Sequence, residues 1–201
     1  MSEERLRIDV SGLPTAAFGL RPHVAWGTLA FMMLEGTGFA LAIGAYFYLQ
    51  SINTEWPLGV PAPDLAPGTA LTLLMLLSEI PNYFLKKQAK KQNIAPVRML
   101  LLVMCLVGVL LLVIRAYEFP ALNASWDTNA YGSIVWFLLG LHTTHLLTDV
   151  GDTLVLTALM FTRHGHKTRR FSDVEDNGFY WDFVVLTWLP IYAVIYWVPR
   201  W

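Results

Sequence analysis

Five stretches of this sequence are apolar for long enough to cross a lipid bilayer. A helix needs about 20 mostly apolar residues to span the hydrocarbon, and in a bilayer only helices and closed barrels satisfy their own backbone polar groups. We therefore predict an all-α, polytopic membrane protein with five transmembrane helices in one bundle. The predicted spans are residues 24–50, 66–84, 96–117, 130–161 and 178–198.

The composition agrees with a membrane protein and excludes several other classes. The chain has 201 residues, of which 55% are hydrophobic and 14% charged, which is too apolar for a soluble domain. Because the connections are short, we expect residues 1–201 to form a single transmembrane domain. The 14 basic and 15 acidic residues offer no surface for nucleic acid. Cys105 stands alone, so neither a disulfide framework nor a cysteine-based zinc site is expected.

Most lysine and arginine residues lie before the first predicted span, between the second and third, and between the fourth and fifth. Basic loops stay cytoplasmic, so five spans place the N-terminus inside and the C-terminus outside. On the outer side only Arg115 and Arg200 remain, and Arg115 is predicted to pair with Glu118 at i, i+3 as an interfacial charge. The other twelve basic residues are Arg5, Arg7, Arg21, Lys86, Lys87, Lys90, Lys91, Arg98, Arg163, Lys167, Arg169 and Arg170.

Seven ionisable residues fall inside the predicted spans. By insertion scales, each charged group costs about 2.5–3.5 kcal/mol at the bilayer centre. We therefore expect these residues to face one another or a protein partner rather than lipid. They form the predicted intramembrane polar network: Glu35, Glu79, His142, His145, Asp149, Asp152 and Asp182.

Four of the seven lie in the stretch LHTTHLLTDVGDT, residues 141–153. Their offsets of three, four and three return to one face of a helix, so their side chains form a stripe. By depth we predict two polar layers. Glu35 joins the two histidines near mid-membrane, while Glu79 and Asp182 join the two aspartates closer to the cytoplasm.

The two histidines leave a second interpretation open, a metal site formed by His142, His145 and Asp149 with Glu35. Four-helix carboxylate sites combine Glu with Glu-x-x-His motifs. Those sites take such a motif from each of two helices, and here only the fourth span offers one. The spacing therefore favours a hydrogen-bonded network of imidazoles and carboxylates over a metal centre.

Four motifs, in order along the chain, carry a resemblance to a known family. They are FMMLEGTGFALAIGAYFYLQ (31–50), RAYEF (115–119), AYGSIVWFLLGLHTTH (130–145) and VEDNGFYWDFVVLTWLPIYAVIYW (174–197). Together they resemble subunit III of the haem-copper cytochrome c oxidases, in its short five-helix bacterial form. The family counterparts are a span around an intramembrane Glu, at Glu35 here, a Gln-Ala-Tyr-Glu-Tyr motif, a His-x-x-His pair and a final span beginning Tyr-Trp-His-Phe.

The sequence also departs from the family pattern at several polar positions. In the last motif, Asp182 stands where the family has His, and Val185 stands where it has Asp. After the His-x-x-His pair, Asp149 replaces the expected Gly, and Asp152 is additional. The chain is therefore identified as a divergent member whose polar network differs from that of its relatives.

The resemblance implies a subunit of the aerobic respiratory chain in the bacterial inner (cell) membrane, packed against the catalytic subunit I of a terminal oxidase. It implies that the chain is not an enzyme by itself, and that haem and copper lie in the partner subunit. It further implies bound phospholipid, stabilisation of subunit I and support of proton uptake, with Glu35 on the side facing the catalytic subunit. Independently, two intramembrane histidines are too few to ligate haem and copper.

Three other functions remain open on the residues alone. One is a stand-alone membrane metalloprotein that uses His142 and His145 with carboxylates. Another is an accessory subunit of a divergent quinol-oxidising or nitric oxide-reducing relative. The third, a proton or ion conductor, ranks last because the sequence has no inverted repeat and no paired broken spans.

Overall fold

Within residues 23–201, which the computed structural model describes, all regular secondary structure is helical, as predicted. The predicted cytoplasmic residues Arg5, Arg7 and Arg21 lie outside this range. The five long helices are α1 (His23–Ser51), α2 (Leu65–Lys90), α3 (Ile94–Glu118), α4 (Ala130–Met160) and α5 (Thr168–Tyr192). A π-helical turn, Ala193–Trp197, continues α5, and short 3₁₀ turns are formed by Pro120–Leu122, Arg163–His166 and Val198–Arg200.

Three of the described helices are long and apolar enough to cross a membrane. These segments are Ala25–Ser51, Ile94–Glu118 and Thr168–Arg200. The other two long helices, α2 and α4, carry most of the predicted intramembrane polar residues.

Two helices extend beyond the predicted spans. The stretch 162–177 was predicted to be a connection, but α5 already begins at Thr168. Its first turns bury Phe171, Val174 and Asn177 on one face. The charged residues between 168 and 177 therefore belong to an amphipathic helix rather than a loop. In the same way α2 continues past residue 84, where Leu85 and Ala89 are buried.

The helices α2, α3, α4 and α5 form a four-membered arrangement, and α1 packs across α4 and α5. In this arrangement α2 contacts α3 and α5, while α4 contacts the same two helices from the other side. The core lies between these four helices and includes the fully buried Trp188, Leu71 and Leu138. A polar side chain on the inner face of α4 or α5 is thereby removed from lipid.

The two ends of the bundle are fastened in different ways. At one end the Arg98 Nε donates to the Met160 carbonyl at 2.7 Å, so the start of α3 meets the end of α4. At the other end the Asp64 amide donates to the Ala121 carbonyl at 2.8 Å, joining the start of α2 to the loop after α3. Asn129 caps α4 there by accepting from the Gly132 amide at 2.8 Å.

Candidate functional site

Glu35, His145 and Tyr180 join three helices at one level of the bundle. The Glu35 Oε1 on α1 lies 3.0 Å from the His145 Nε2 on α4. The Tyr180 hydroxyl on α5 donates to Glu35 Oε2 at 2.8 Å. The Phe39 ring packs against the His145 imidazole, with their centroids 4.8 Å apart. The structure thus turns the α1 carboxylate inward, toward α4 and α5.

His145 bonds to its own helix through one ring nitrogen and faces Glu35 with the other. The His145 Nδ1 lies 2.6 Å from the Leu141 carbonyl oxygen, which only accepts, so Nδ1 carries hydrogen. The other ring nitrogen, Nε2, lies at ion-pair distance from Glu35 Oε1. A proton on either of these two atoms would make this contact a hydrogen bond.

His142 occupies a different cluster from His145. Its Nδ1 lies 2.9 Å from Arg115 Nη2, and its Nε2 lies 3.0 Å from the Val184 carbonyl oxygen. Since a guanidinium only donates and a carbonyl only accepts, Nδ1 is the acceptor and Nε2 carries the hydrogen. The predicted middle layer of Glu35 with both histidines is therefore divided: His145 faces α1, whereas His142 faces α3 and α5.

The His142 cluster is centred on an ion pair that is fully buried. Arg115 Nη1 donates to Glu118 Oε2 at 2.7 Å, and the two side chains are 1% and 0% exposed. Tyr196 donates its hydroxyl to Glu118 Oε1 at 2.6 Å, and the Trp188 ring lies 4.2 Å from the guanidinium carbon. The predicted i, i+3 pairing is present, and the pair is buried rather than solvated, because the rings of Trp188 and Tyr196 cover both charges.

Asp182 lies in a third cluster, between α2 and α5. Lys86 forms an ion pair with Asp182, and the Asn82 amide donates to Asp182 Oδ1 at 2.7 Å and to the Gly178 carbonyl at 2.9 Å. Glu79 lies beside Asp182 and Asn82. The structure therefore brings two members of the predicted lower layer together, away from the two aspartates of α4.

Asp149 and Asp152 line a cavity between α1, α4 and α5. Asp149 is 2% exposed, and its Oδ1 accepts from the Asn177 amide at 3.2 Å. Asp152 is exposed. The cavity has a volume of about 760 Å³, and Glu35, His145 and Tyr180 also line it. The α4 stripe is thus split between a sealed cluster at His142 and an open cavity beside the other three residues.

The alternative metal site of His142, His145 and Asp149 is not assembled. The ring nitrogens of the two histidines bond to α3, α5, α1 and the Leu141 carbonyl. Among the residues whose side chains the structure describes, 25–163 and 165–201, no three His, Cys, Asp or Glu side chains converge in a geometry that could hold a metal ion.

Sequence reasoning missed several polar residues that the structure places at these clusters. Asn82 follows Glu79 by three residues and Lys86 follows Asn82 by four, a stripe that the helical period could have revealed. The RAYEF spacing gave the ion pair but not its burial. No local signal marks Asn177 or Tyr180, because their partners lie on other helices.

Together these features define an all-helical integral membrane protein whose buried polar residues meet at helix–helix contacts. The sequence profile of cytochrome c oxidase subunit III matches residues 19–200. The chain belongs to the cytochrome c oxidase subunit III family, whose namesake is a component of an oxidoreductase complex.

Individual relatives agree with this family assignment. The chain is 24% identical to cytochrome c oxidase subunit 3 of Thermostichus vulcanus over 176 residues, which cover 87% of each protein. It is 24% identical to a probable cytochrome c oxidase subunit 3 of Nocardia farcinica, covering 93% of this chain and 97% of the relative. It is 27% identical to the Drosophila melanogaster protein, covering 92% and 72%. The match to the Nocardia relative therefore extends over nearly the whole of both chains.

Proposed function

We propose that this chain is the non-catalytic subunit III of a haem-copper respiratory terminal oxidase, packed against the catalytic subunit I. The observation that carries the proposal is the family match over residues 19–200. It is supported by the two intramembrane histidines, His142 and His145, whose ring nitrogens are engaged within the chain. In this proposal haem and copper belong to subunit I, and the role of this chain is to stabilise that subunit.

The surface proposed to meet subunit I is the outer face of α1. In the most apolar stretch of α1, 11% of the residues are buried inside the chain, against 44% in that of the helical segment Thr168–Arg200. Met33, Leu34 and Leu41 are 68%, 74% and 71% exposed. A partner helix would cover these side chains and close the cavity beside Glu35. Phospholipid is proposed to fill the remaining apolar grooves, as along α3.

The proposed topology has five membrane spans in one domain, an inner N-terminus and an outer C-terminus in the bacterial cell membrane. It is supported by the positions of the basic residues, because positive loops stay in the cytoplasm. The lysine-rich turn between α2 and α3 and the arginine-rich turn between α4 and α5 lie at the same end of the bundle, where Arg98 bonds to Met160.

We also propose that Glu35 and His145 contribute to proton uptake by the complex. Support comes from the close approach of Glu35 Oε1 and His145 Nε2, at 3.0 Å, since a carboxyl group and an imidazole at this distance can pass a proton between them. Such a pair accepts or releases a proton without rearrangement of the helices. The hydroxyl of Tyr180 stabilises the carboxylate form by donating to Oε2.

Co-purification tests the assignment as an oxidase subunit. The tagged chain, solubilised in mild detergent, is expected to recover a larger membrane subunit with the absorption spectrum of a haem-copper oxidase. Recovery of a stable, colourless homo-oligomer would contradict the proposal.

A matched pair of variants tests the proposed partner face. Leu34 on α1 and Leu106 on α3 are 74% and 73% exposed. Leu34→Trp is expected to lower the haem recovered per chain several-fold, because the larger side chain blocks close helix packing. Leu106→Trp, which faces lipid in this proposal, is expected to leave that ratio unchanged. Equal losses from both variants would remove α1 as the partner face.

A further inference from the structure

The cavity between α1, α4 and α5 has two dissimilar ends. Glu35 and His145 line it farthest from the α4–α5 turn, Asp149 and Asp152 line its middle, and Asp173 lines it nearest that turn. Its volume is about 760 Å³. It therefore connects the Glu35–His145 pair with the polar turn at one end of the bundle.

Asp149, one of the residues that line this cavity, has a buried carboxyl oxygen without a protein partner. The residue is 2% exposed, and its Oδ2 has no hydrogen-bond partner among the described residues. A buried acceptor without a partner costs about 1–3 kcal/mol, and more if it is charged. Water is the partner that removes this cost most simply. Because one water occupies about 30 Å³ of liquid, the cavity has room for on the order of twenty.

The charges around the cavity favour cations over anions. Carboxyl side chains line it on all three helices, and its one lining cation, among the residues described, is Arg170, which donates to Asp173 at 2.7 Å. A cleft lined mainly by one sign of charge concentrates ions of the opposite sign. We therefore expect this cavity to hold water and small hydrated cations, including hydronium.

We propose that this cavity is an aqueous, cation-attracting vestibule through which the Glu35–His145 pair exchanges protons with water at the α4–α5 turn. A hydronium ion that reaches the pair transfers its proton to Glu35 Oε1 and leaves as water, and the reverse step releases the proton. Asp149, at the buried wall, binds the water molecules that lie between Asp152 and the Glu35–His145 pair. This proposal rests on the proposed function, since it assigns a route within the oxidase subunit.

Cysteine accessibility in the purified oxidase complex tests the vestibule. Cys105 is the chain's only cysteine, so a Cys105→Ser background carries one introduced thiol at a time. The test positions are Glu35→Cys, Asp149→Cys and Asp152→Cys. The matched control is Val150→Cys, which is buried beside Asp149 but packs against Gly108 on α3. The probes are a cationic trimethylammonium-ethyl and an anionic sulfonato-ethyl methanethiosulfonate, and the readout is the mass shift of this chain.

The expected result is that the Glu35 and Asp149 positions react with the cationic reagent at least tenfold faster than the Val150 position. The anionic reagent is expected to react several-fold more slowly at both. If both positions react as slowly as Val150→Cys while Asp152→Cys reacts, the cavity is filled by acyl chains or partner side chains, and the proposal is overturned. Equal rates for the two reagents would overturn the cation selectivity.

The labelling result is independent of variants that fail to fold or that lose the partner subunit. Only preparations that retain the haem-bearing subunit are labelled, so failure of the proposed function is seen as loss of haem before any labelling. If Asp149→Cys does not assemble, Thr148→Cys reports on the same cavity without removing a carboxylate. Its reaction at the rate of Val150→Cys would overturn the proposal equally.

Discussion

His142 and His145 are three residues apart on α4, yet they have no hydrogen-bond partner in common among the described residues. His142 accepts from Arg115 and donates to Val184, so it is held neutral in one tautomer. His145 faces Glu35, with its Nε2 3.0 Å from Oε1. At the scale of single residues, the first histidine is thus part of a fixed structural cluster, and the second belongs to the pair proposed to exchange protons.

The buried pair Arg115–Glu118 is expected to be far more important for stability than the similar pair Arg170–Asp173. Both are i, i+3 pairs at 2.7 Å, but the first is 1% and 0% exposed and the second 30% and 20%. Arg115→Leu leaves a buried carboxylate without its cation, which typically costs about 3–5 kcal/mol. Arg170→Leu removes a partly exposed pair worth about 0–1 kcal/mol.

The thermal unfolding midpoint of the purified complex measures this difference. Arg115→Leu is expected to lower the midpoint clearly, while Arg170→Leu leaves it nearly unchanged. Adding Glu118→Leu to Arg115→Leu is expected to recover part of the loss, because the unpaired charge is then gone. Similar midpoints for the two single variants would show that burial does not increase the contribution of the Arg115–Glu118 pair to the stability of the complex.

At the scale of helices, glycines set how closely two pairs of helices approach. A Cβ at Gly108 on α3 would lie 2.6 Å from Val150 Cγ2 on α4, nearer than two carbon atoms pack. At Gly68 on α2, a Cβ would overlap the Tyr196 ring, which bonds to Glu118. Small residues at such contacts let membrane helices pack closely, and here the close approach positions the buried ion pair.

Gly108→Leu is therefore expected to separate α3 from α4 and to destabilise the complex. Overpacking of this kind costs typically about 1–3 kcal/mol, which a lowered thermal midpoint would report. The matched control is Gly140→Leu on α4, where an added Cβ meets no atom within 4 Å. Val150→Ala in the Gly108→Leu background is expected to restore part of the stability. Equal midpoints for the two leucine variants would refute close α3–α4 packing.

At the scale of the whole molecule, the two ends of the bundle differ in chemistry. One end carries the basic turns after α2 and α4, while the other carries buried aromatics such as Tyr46, whose hydroxyl accepts from Trp56 Nε1 at 2.8 Å. Basic turns on a single side satisfy the cytoplasmic preference of lysine and arginine. The proposed orientation follows from this polarity.

Labelling in sealed vesicles tests the orientation. In the Cys105→Ser background, Lys91→Cys marks the basic end and Asp127→Cys the other end, and both positions are exposed. In everted vesicles a membrane-impermeant thiol reagent is expected to label Lys91→Cys and not Asp127→Cys. The opposite pattern would invert the topology, and labelling of both would mean that the two turns do not lie on opposite sides of a membrane.

The sequence by itself determined the helical class and most helix positions, and it singled out the ionisable residues within the long helices. Long apolar runs and the cost of a charge in hydrocarbon are local properties, so they are readable without knowing any neighbour. The same local reasoning failed at residues 168–177, where a charged stretch becomes the amphipathic start of α5 because Phe171 and Val174 find a covering surface.

Only the tertiary structure decided which polar residues meet. Residues at i and i+3 differ by about 60° around a helix axis, which is enough for His142 to face α3 and α5 while His145 faces α1. Spacing fixes a side chain's direction within its own helix, but the rotation and depth of the neighbouring helix decide its partner. Those depend on contacts such as Gly108 with Val150, which join residues far apart in the chain.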